Sequence, residues 1–134
     1  MFGALDTSTS GLVTQRTRLN AIAANLANAN TITHDGVTNE PFRRRIPILS
    51  PSDPTTGSPD GVHVRGIAYD KAPLRLKYEP GSPFADREGY VKYPNVDPIV
   101  EQVNAIEASR SYEATISAAE ATKRMMQVSL DLLS

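Results

Sequence analysis

The chain has 134 residues, enough for one domain, and a formal net charge of -1. That charge gives no bulk attraction to nucleic acid or to an anionic membrane, and it permits self-association. There are no cysteines, which excludes disulfides, thiolate metal sites and a cysteine nucleophile. Hydrophobic content of 40% and charged content of 22% are ordinary for a folded soluble chain. No apolar run approaches the roughly 20 residues of a membrane span, so no membrane insertion is expected. The start, Met1-Phe2-Gly3-Ala4-Leu5-Asp6, lacks the basic beginning and apolar core of a cleaved secretory signal. By that test the chain stays in the cytoplasm unless it leaves by a route that needs no such signal.

Residues 5 to 30 are the first helix candidate. Leu5, Leu12, Leu19 and Leu26 recur every seven residues, and Val13, Ile22 and Ala23 thicken the stripe. Helix is expected from Leu12 to about Ala29. The beginning is weaker, because Thr7-Ser8-Thr9-Ser10-Gly11 is poor helix material. A leucine row of this kind serves either an intramolecular core or an intermolecular seam. Asn25, Asn28 and Asn30 follow, and Asn25 and Asn28 share a face. Amides beside a leucine seam are expected to bond backbone groups at a junction. His34, Asp35 and Glu40 have no spacing that would converge them on a metal, and His34-Asp35-Gly36 reads as a turn.

The middle of the chain differs in kind, holding most of the prolines and glycines. Pro41 to Leu49 should be extended, since two prolines forbid regular helix. Ser50 to Asp60 reads as a turn-rich loop or a disordered tip. Val62, Val64, Ile67 and Tyr69 read as a strand with a possible bulge at Gly66. Leu74, Leu76 and Tyr78 alternate with Arg75, Lys77 and Glu79, the pattern of a half-buried strand. Pro80 to Gly89 reads as a loop. Arg43-Arg44-Arg45 lacks the aromatics or recognition helix of a nucleic-acid site, and reads as a solvated face or a charged edge strand.

The last third is the longest element. Asp97 can cap a helix that Pro98 begins, and Glu101 places negative charge near the positive end of its dipole. From Ile99 onward neither glycine nor proline occurs, so a helix of about 50 Å is expected. Ile99, Val103 and Ile106 form one apolar run. Tyr112, Ile116, Ala119, Met126, Leu130 and Leu133 form a second, displaced from the first near Ser109 and interrupted by Lys123. The face packs either on its own chain or on other chains. The implied fold class is α+β, mainly α: long N- and C-terminal helices paired antiparallel in a coiled-coil-like bundle, with a small β-rich, Pro/Gly-rich insert between them. Residues 1–33 with 96–134 form the helical part and 34–95 the insert. There is no phosphate loop, hydrolase elbow or zinc spacing, and neither catalysis nor a cofactor is expected. The residues alone stop at an elongated protein, an assembly subunit, with a cytoplasmic helical adaptor or chaperone, or a small enzyme using His34, as alternatives.

Two stretches carry a resemblance. Ser10-Gly11-Leu12, Gln15, Arg18-Leu19-Asn20, Ile22-Ala23 and Asn25-Leu26-Ala27-Asn28-Ala29-Asn30-Thr31 resemble the N-terminal signature of the flagellar rod and hook family. Gly89-Tyr90-Val91, Tyr93-Pro94-Asn95-Val96-Asp97-Pro98, Glu107-Ala108-Ser109-Arg110-Ser111-Tyr112-Glu113-Ala114 and Thr122-Lys123 resemble its small proximal-rod members. After Thr31 the chain departs from the Gly-Tyr of many relatives. The resemblance implies a rod subunit of the bacterial flagellar basal body, built into a hollow helical tube that carries torque from motor to hook. It implies self-assembly with itself and related rod proteins, export by the flagellar type III apparatus without a cleaved signal, and a place in the periplasmic space. Under it, Leu5, Leu12, Leu19, Ile22, Leu26, Ile99, Val103, Ile106, Tyr112, Ile116, Met126 and Leu130 supply the seams, and Asn25, Asn28, Asn95 and Asp97 fix the junction between helices and insert.

Overall fold

The computed structural model describes residues 2–33, 40–53 and 58–133. Helix α1 (Phe2–Ala27) is followed by strands β1 (Arg45–Asp53), β2 (Ser58–Tyr69), β3 (Arg75–Tyr78) and β4 (Tyr90–Tyr93), then by helix α2 (Pro98–Asp131). The mainly helical, two-helix plan with a β insert is the one the sequence implies.

Helix α2 begins as its residues dictate. The Asp97 side chain accepts from the Ile99 amide at 2.9 Å, and Pro98 occupies the first turn, where it forfeits no bond. Its 34 residues make a rod of about 51 Å. Helix α1 starts earlier than its composition suggests. Thr7 Oγ1 donates to the Gly3 carbonyl at 2.8 Å, Ser8 Oγ to Ala4 at 2.9 Å and Thr9 Oγ1 to Leu5 at 2.9 Å. Hydroxyls that would compete with the helix are thus satisfied inside it.

The helices run antiparallel. Asn25 meets Glu101, Arg18 meets Glu107, and Gly11 lies beside Thr115. Continuing that register sets Phe2 opposite a position near residue 124, so the last turns of α2 extend past the described end of α1. The face α2 turns inward is polar and small: Glu101 and Ala108 are its buried residues. Ile99, Val103 and Ile106 are 72%, 59% and 56% exposed. On α1, Val13 and Ala23 face solvent instead of thickening the leucine stripe, whereas Ile22 is buried.

Strands β1 and β2 form an antiparallel hairpin pairing Arg45 with Tyr69, Pro47 with Ile67 and Leu49 with Val64. Arg65 is the extra residue of a bulge next to Gly66. Ser50 to Asp53 and Ser58 to Asp60 continue these strands, where the sequence suggested a loop. In a two-stranded ribbon every strand has a free edge, which tolerates Pro51 and Pro59. Strands β3 and β4 pair Leu76 with Lys92 and Tyr78 with Tyr90. Strand β4 was not expected as an element of its own, although its Tyr and Val residues favour strands. The half-buried pattern expected of β3 is not realised: Leu76 and Tyr78 are 62% and 63% exposed, because among the described residues the face they share with Tyr90 and Lys92 is left open, whereas Val91 of β4, on the other face, is buried.

A small core of Ala29, Phe42 and Val96 sits where α1 ends, the insert begins and α2 starts. Gly89 leads into β4 with φ +87, and a Cβ there would lie 2.8 Å from Tyr78 Cε2. Gly89→Ala is therefore expected to cost about 1–3 kcal/mol in urea unfolding. Gly81→Ala, where a Cβ meets nothing within 4 Å, should stay within about 0.5 kcal/mol of the parent.

Candidate functional site

Glu101, in the first turn of α2, is 1% exposed. The helix dipole favours a carboxylate there, but burial demands partners. Arg44 Nε donates to Glu101 Oε1 at 2.6 Å, and Asn25 Nδ2 donates to Oε2 at 3.1 Å. Arg44 also reaches Asp70 Oδ2 from Nη1 at 3.5 Å. Burial works to lower the Arg44 pKa, but the hydrogen bond and charge of Glu101, followed by those of Asp70, outweigh it and hold the pKa above its usual value. The guanidinium therefore stays charged at any physiological pH.

Two asparagines tie the chain's backbone to this pair. Asn25 Oδ1 accepts from the Arg45 amide at 2.8 Å, while Nδ2 donates to the Arg45 carbonyl at 3.0 Å, closing a two-way clasp. Asn95 Oδ1 accepts from the Arg44 amide at 3.0 Å, and its Nδ2 donates to the carbonyls of Asp70 and Ala72, each at 3.2 Å. Arg75 donates to the Pro94 and Ala29 carbonyls, both at 2.9 Å. The end of α1, the entry to β1, the exit from β2 and the start of α2 are thereby locked together.

This corrects the reading of Arg43-Arg44-Arg45 as a solvated face. Arg43 Nη1 donates to the Asp70 carbonyl at 3.3 Å, Arg44 holds Glu101, and the Arg45 guanidinium lies 5.2 Å from the centre of the Phe42 ring. Glu101 was the residue that sequence reasoning missed as a site. Its signal was the seven-residue step to Ala108 and then to Thr115, which marks the inward face of α2.

The remaining expected residues divide. Asn28 Nδ2 donates to the Ala24 carbonyl at 2.8 Å, and its Oδ1 accepts from Thr31 Oγ1 at 3.1 Å, closing the last turn of α1. Tyr93 OH donates to Glu79 at 3.2 Å, Pro94 is buried and Asp97 caps α2. Glu107 reaches Arg18 at 3.4 Å, and Asn30, Arg110 and Glu113 stand exposed. Of the seam residues, Ile22 is buried, Leu5, Leu12, Leu19, Leu26, Tyr112, Ile116 and Met126 are half-buried, and Ile99, Val103, Ile106 and Leu130 are exposed. The first apolar run of α2 is therefore left largely open by the described residues. His34 and Asp35 lie outside the described residues, and Glu40 is exposed.

Comparison with known proteins falls on these same segments. The family profile "Flagella basal body rod protein" matches residues 5–32, which include Asn25, and "Flagellar basal body rod FlgEFG protein C-terminal" matches residues 87–132, which include Asn95 and Glu101. The chain is 42% identical over 127 residues to the flagellar basal-body rod protein FlgC of Salmonella typhimurium, covering 95% of this chain and 93% of that one. It is 39% identical to FlgC of Aquifex aeolicus over 128 residues, covering 95% and 92%. It is 36% identical to FlgC of Bacillus subtilis over 145 residues, covering 98% and 97%.

Removing one partner of a buried ion pair strands the other. Arg44→Met is expected to destabilise the chain by about 3 kcal/mol in urea unfolding, and Glu101→Gln added to it should restore part of that loss. A double variant as unstable as the sum of the two single variants would show that the groups are not coupled.

Proposed function

The chain belongs to the FlgC family of flagellar basal-body rod proteins, structural subunits of the rod, and we propose that its terminal helices form the wall of a hollow helical tube. In this reading residues 1–33 with 96–134 are the axial part and 34–95 the insert that the wall carries. Membership of the family places the chain in the flagellar basal body among other basal-body components. Its neighbours are then further copies of itself and related rod proteins, in the periplasmic space, reached through the flagellar type III export apparatus. Bearing torque asks for no reacting group.

The observation that carries the reading is the placement of apolar groups. Ile99, Val103 and Ile106 make a stripe along the outside of α2, while the interior between the helices holds Glu101 and Asn25. A stripe that the described residues of its own chain leave open is a surface for neighbours. The half-buried leucines of α1 and Tyr112, Ile116 and Met126 of α2 would complete the seams between subunits. Subunits joined by two different surfaces extend into a tube instead of closing as a dimer. Helices of about 50 Å laid side by side resist twisting, which is the mechanical task of a rod. The relatives, all rod proteins by name, lend no support to a cytoplasmic adaptor or chaperone.

Ile106→Asp should leave the single chain folded, because Ile106 is 56% exposed. It should abolish rod assembly, because an unpaired carboxylate would have to enter an apolar contact. The check is complementation of a deletion strain: non-motile cells without rods are expected, and normal swimming would overturn the seam assignment.

A further inference from the structure

Strand β2 meets the first half of α1 at Val62. Ser10 and Thr14, one helical turn apart, share a face of α1. The Val62 amide donates to Ser10 Oγ at 3.1 Å, and Thr14 Oγ1 donates to the Val62 carbonyl at 3.3 Å. Both main-chain groups of Val62 are therefore met by hydroxyls of the helix. Ser10 can accept because its own proton goes to the Thr7 carbonyl at 2.7 Å. Thr14 is 2% exposed and departs from its neighbours. Thr7, Ser8, Thr9 and Thr17 each give their proton to a carbonyl four residues back, whereas Thr14 gives its proton to the strand.

Gly61 makes this approach possible. Its φ is +96, and a Cβ there would lie 2.7 Å from Ser10 Oγ and 3.9 Å from Thr7 Cα. Ser10 Oγ cannot swing aside without losing both of its hydrogen bonds. Beside the contact an open cavity of about 530 Å³, lined by Val13, Thr17 and Val64, separates helix from strand. Packing there is incomplete, which leaves much of the hold to the hydroxyls. The helix has need of it. Its first turns contain Gly3, Gly11 and the run Thr7-Ser8-Thr9-Ser10, and no acidic residue favours the dipole at its start. Helix ends of such composition open readily.

We propose that the β1–β2 hairpin is a strap over the first turns of α1. Latched at Val62 by Ser10 and Thr14, it keeps those turns helical, and when it lifts, strand and helix start open together. Insert and terminal helix are then one conformational unit, although far apart in sequence. The inference concerns the single chain and stands whether or not the rod-subunit reading does.

Amide hydrogen exchange of the full chain in dilute solution tests it, with Ala108 of α2 as the reference. Gly61→Ala alters no residue of α1, yet exchange should quicken about tenfold both in Val62–Val64 and in residues 7–14, the scale of a lost hydrogen bond. Ser10→Ala is the sharper test. Alanine favours helix more than serine does, so propensity alone would slow exchange in α1, whereas loss of the latch should quicken it. Thr9→Ala, whose lost hydroxyl bonds only within the helix, should leave both segments at the parent's rate or slower. Residues 7–14 unchanged or slowed in Gly61→Ala and Ser10→Ala would overturn the strap, and so would quickening of Val62–Val64 alone. Should Gly61→Ala quicken Ala108 as well, Ser10→Ala decides, and an equal rise in all three segments there would overturn the strap too.

Discussion

The structure depends on a single buried carboxylate. Glu101 is 1% exposed, and a charge so placed is tolerable only while Arg44 and Asn25 both hold it. Those partners come from different segments: Asn25 from α1, Arg44 from the entry to β1, and Glu101 from α2. Any arrangement that moves one of the three leaves a charged or polar group stranded. The junction core of Ala29, Phe42 and Val96 is too small to impose an orientation alone, so the angle between the helices and the insert is set mainly by polar geometry.

The buried residues are mostly apolar, such as Ile22, Phe42 and Val96, but polar groups share the contact between the helices. Between the helices lie Glu101, Asn25 and Ala108, while aliphatic side chains such as Ile99, Val103 and Leu130 face outward. A single chain built this way pairs its buried carboxylate and leaves much apolar surface open among the described residues. That fits a structural subunit of the flagellar rod.

Much of the fold was legible because it follows from local rules. Asp97-Pro98 announces a helix start, and the absence of glycine and proline after it announces length. The β1–β2 pairing follows the alternation of Val62 and Val64, although the strands outrun their expected ends because edge positions accept proline. What was not legible is long-range. Nothing near Arg44 in sequence indicates that its partner lies 57 positions away, and a run of three arginines reads as solvated until the carboxylate opposite is known. The exposure of β3 was hidden for a related reason. Alternation reports which residues could be buried, not whether anything arrives to bury them. Asn25 was singled out for its chemistry, but the two-way clasp on Arg45 needed the strand to be placed beside it.

The first turns of α1 carry one more consequence. Thr7, Ser8 and Thr9 each give their hydroxyl proton to a carbonyl one turn back, and Ser10 gives its own to Thr7. A segment that looks hydrophilic in composition has therefore already discharged its donors within itself. It can pass from water to a crowded, nearly dry setting without any hydroxyl proton having to find a new acceptor, and so without the desolvation cost that a stranded donor would bring.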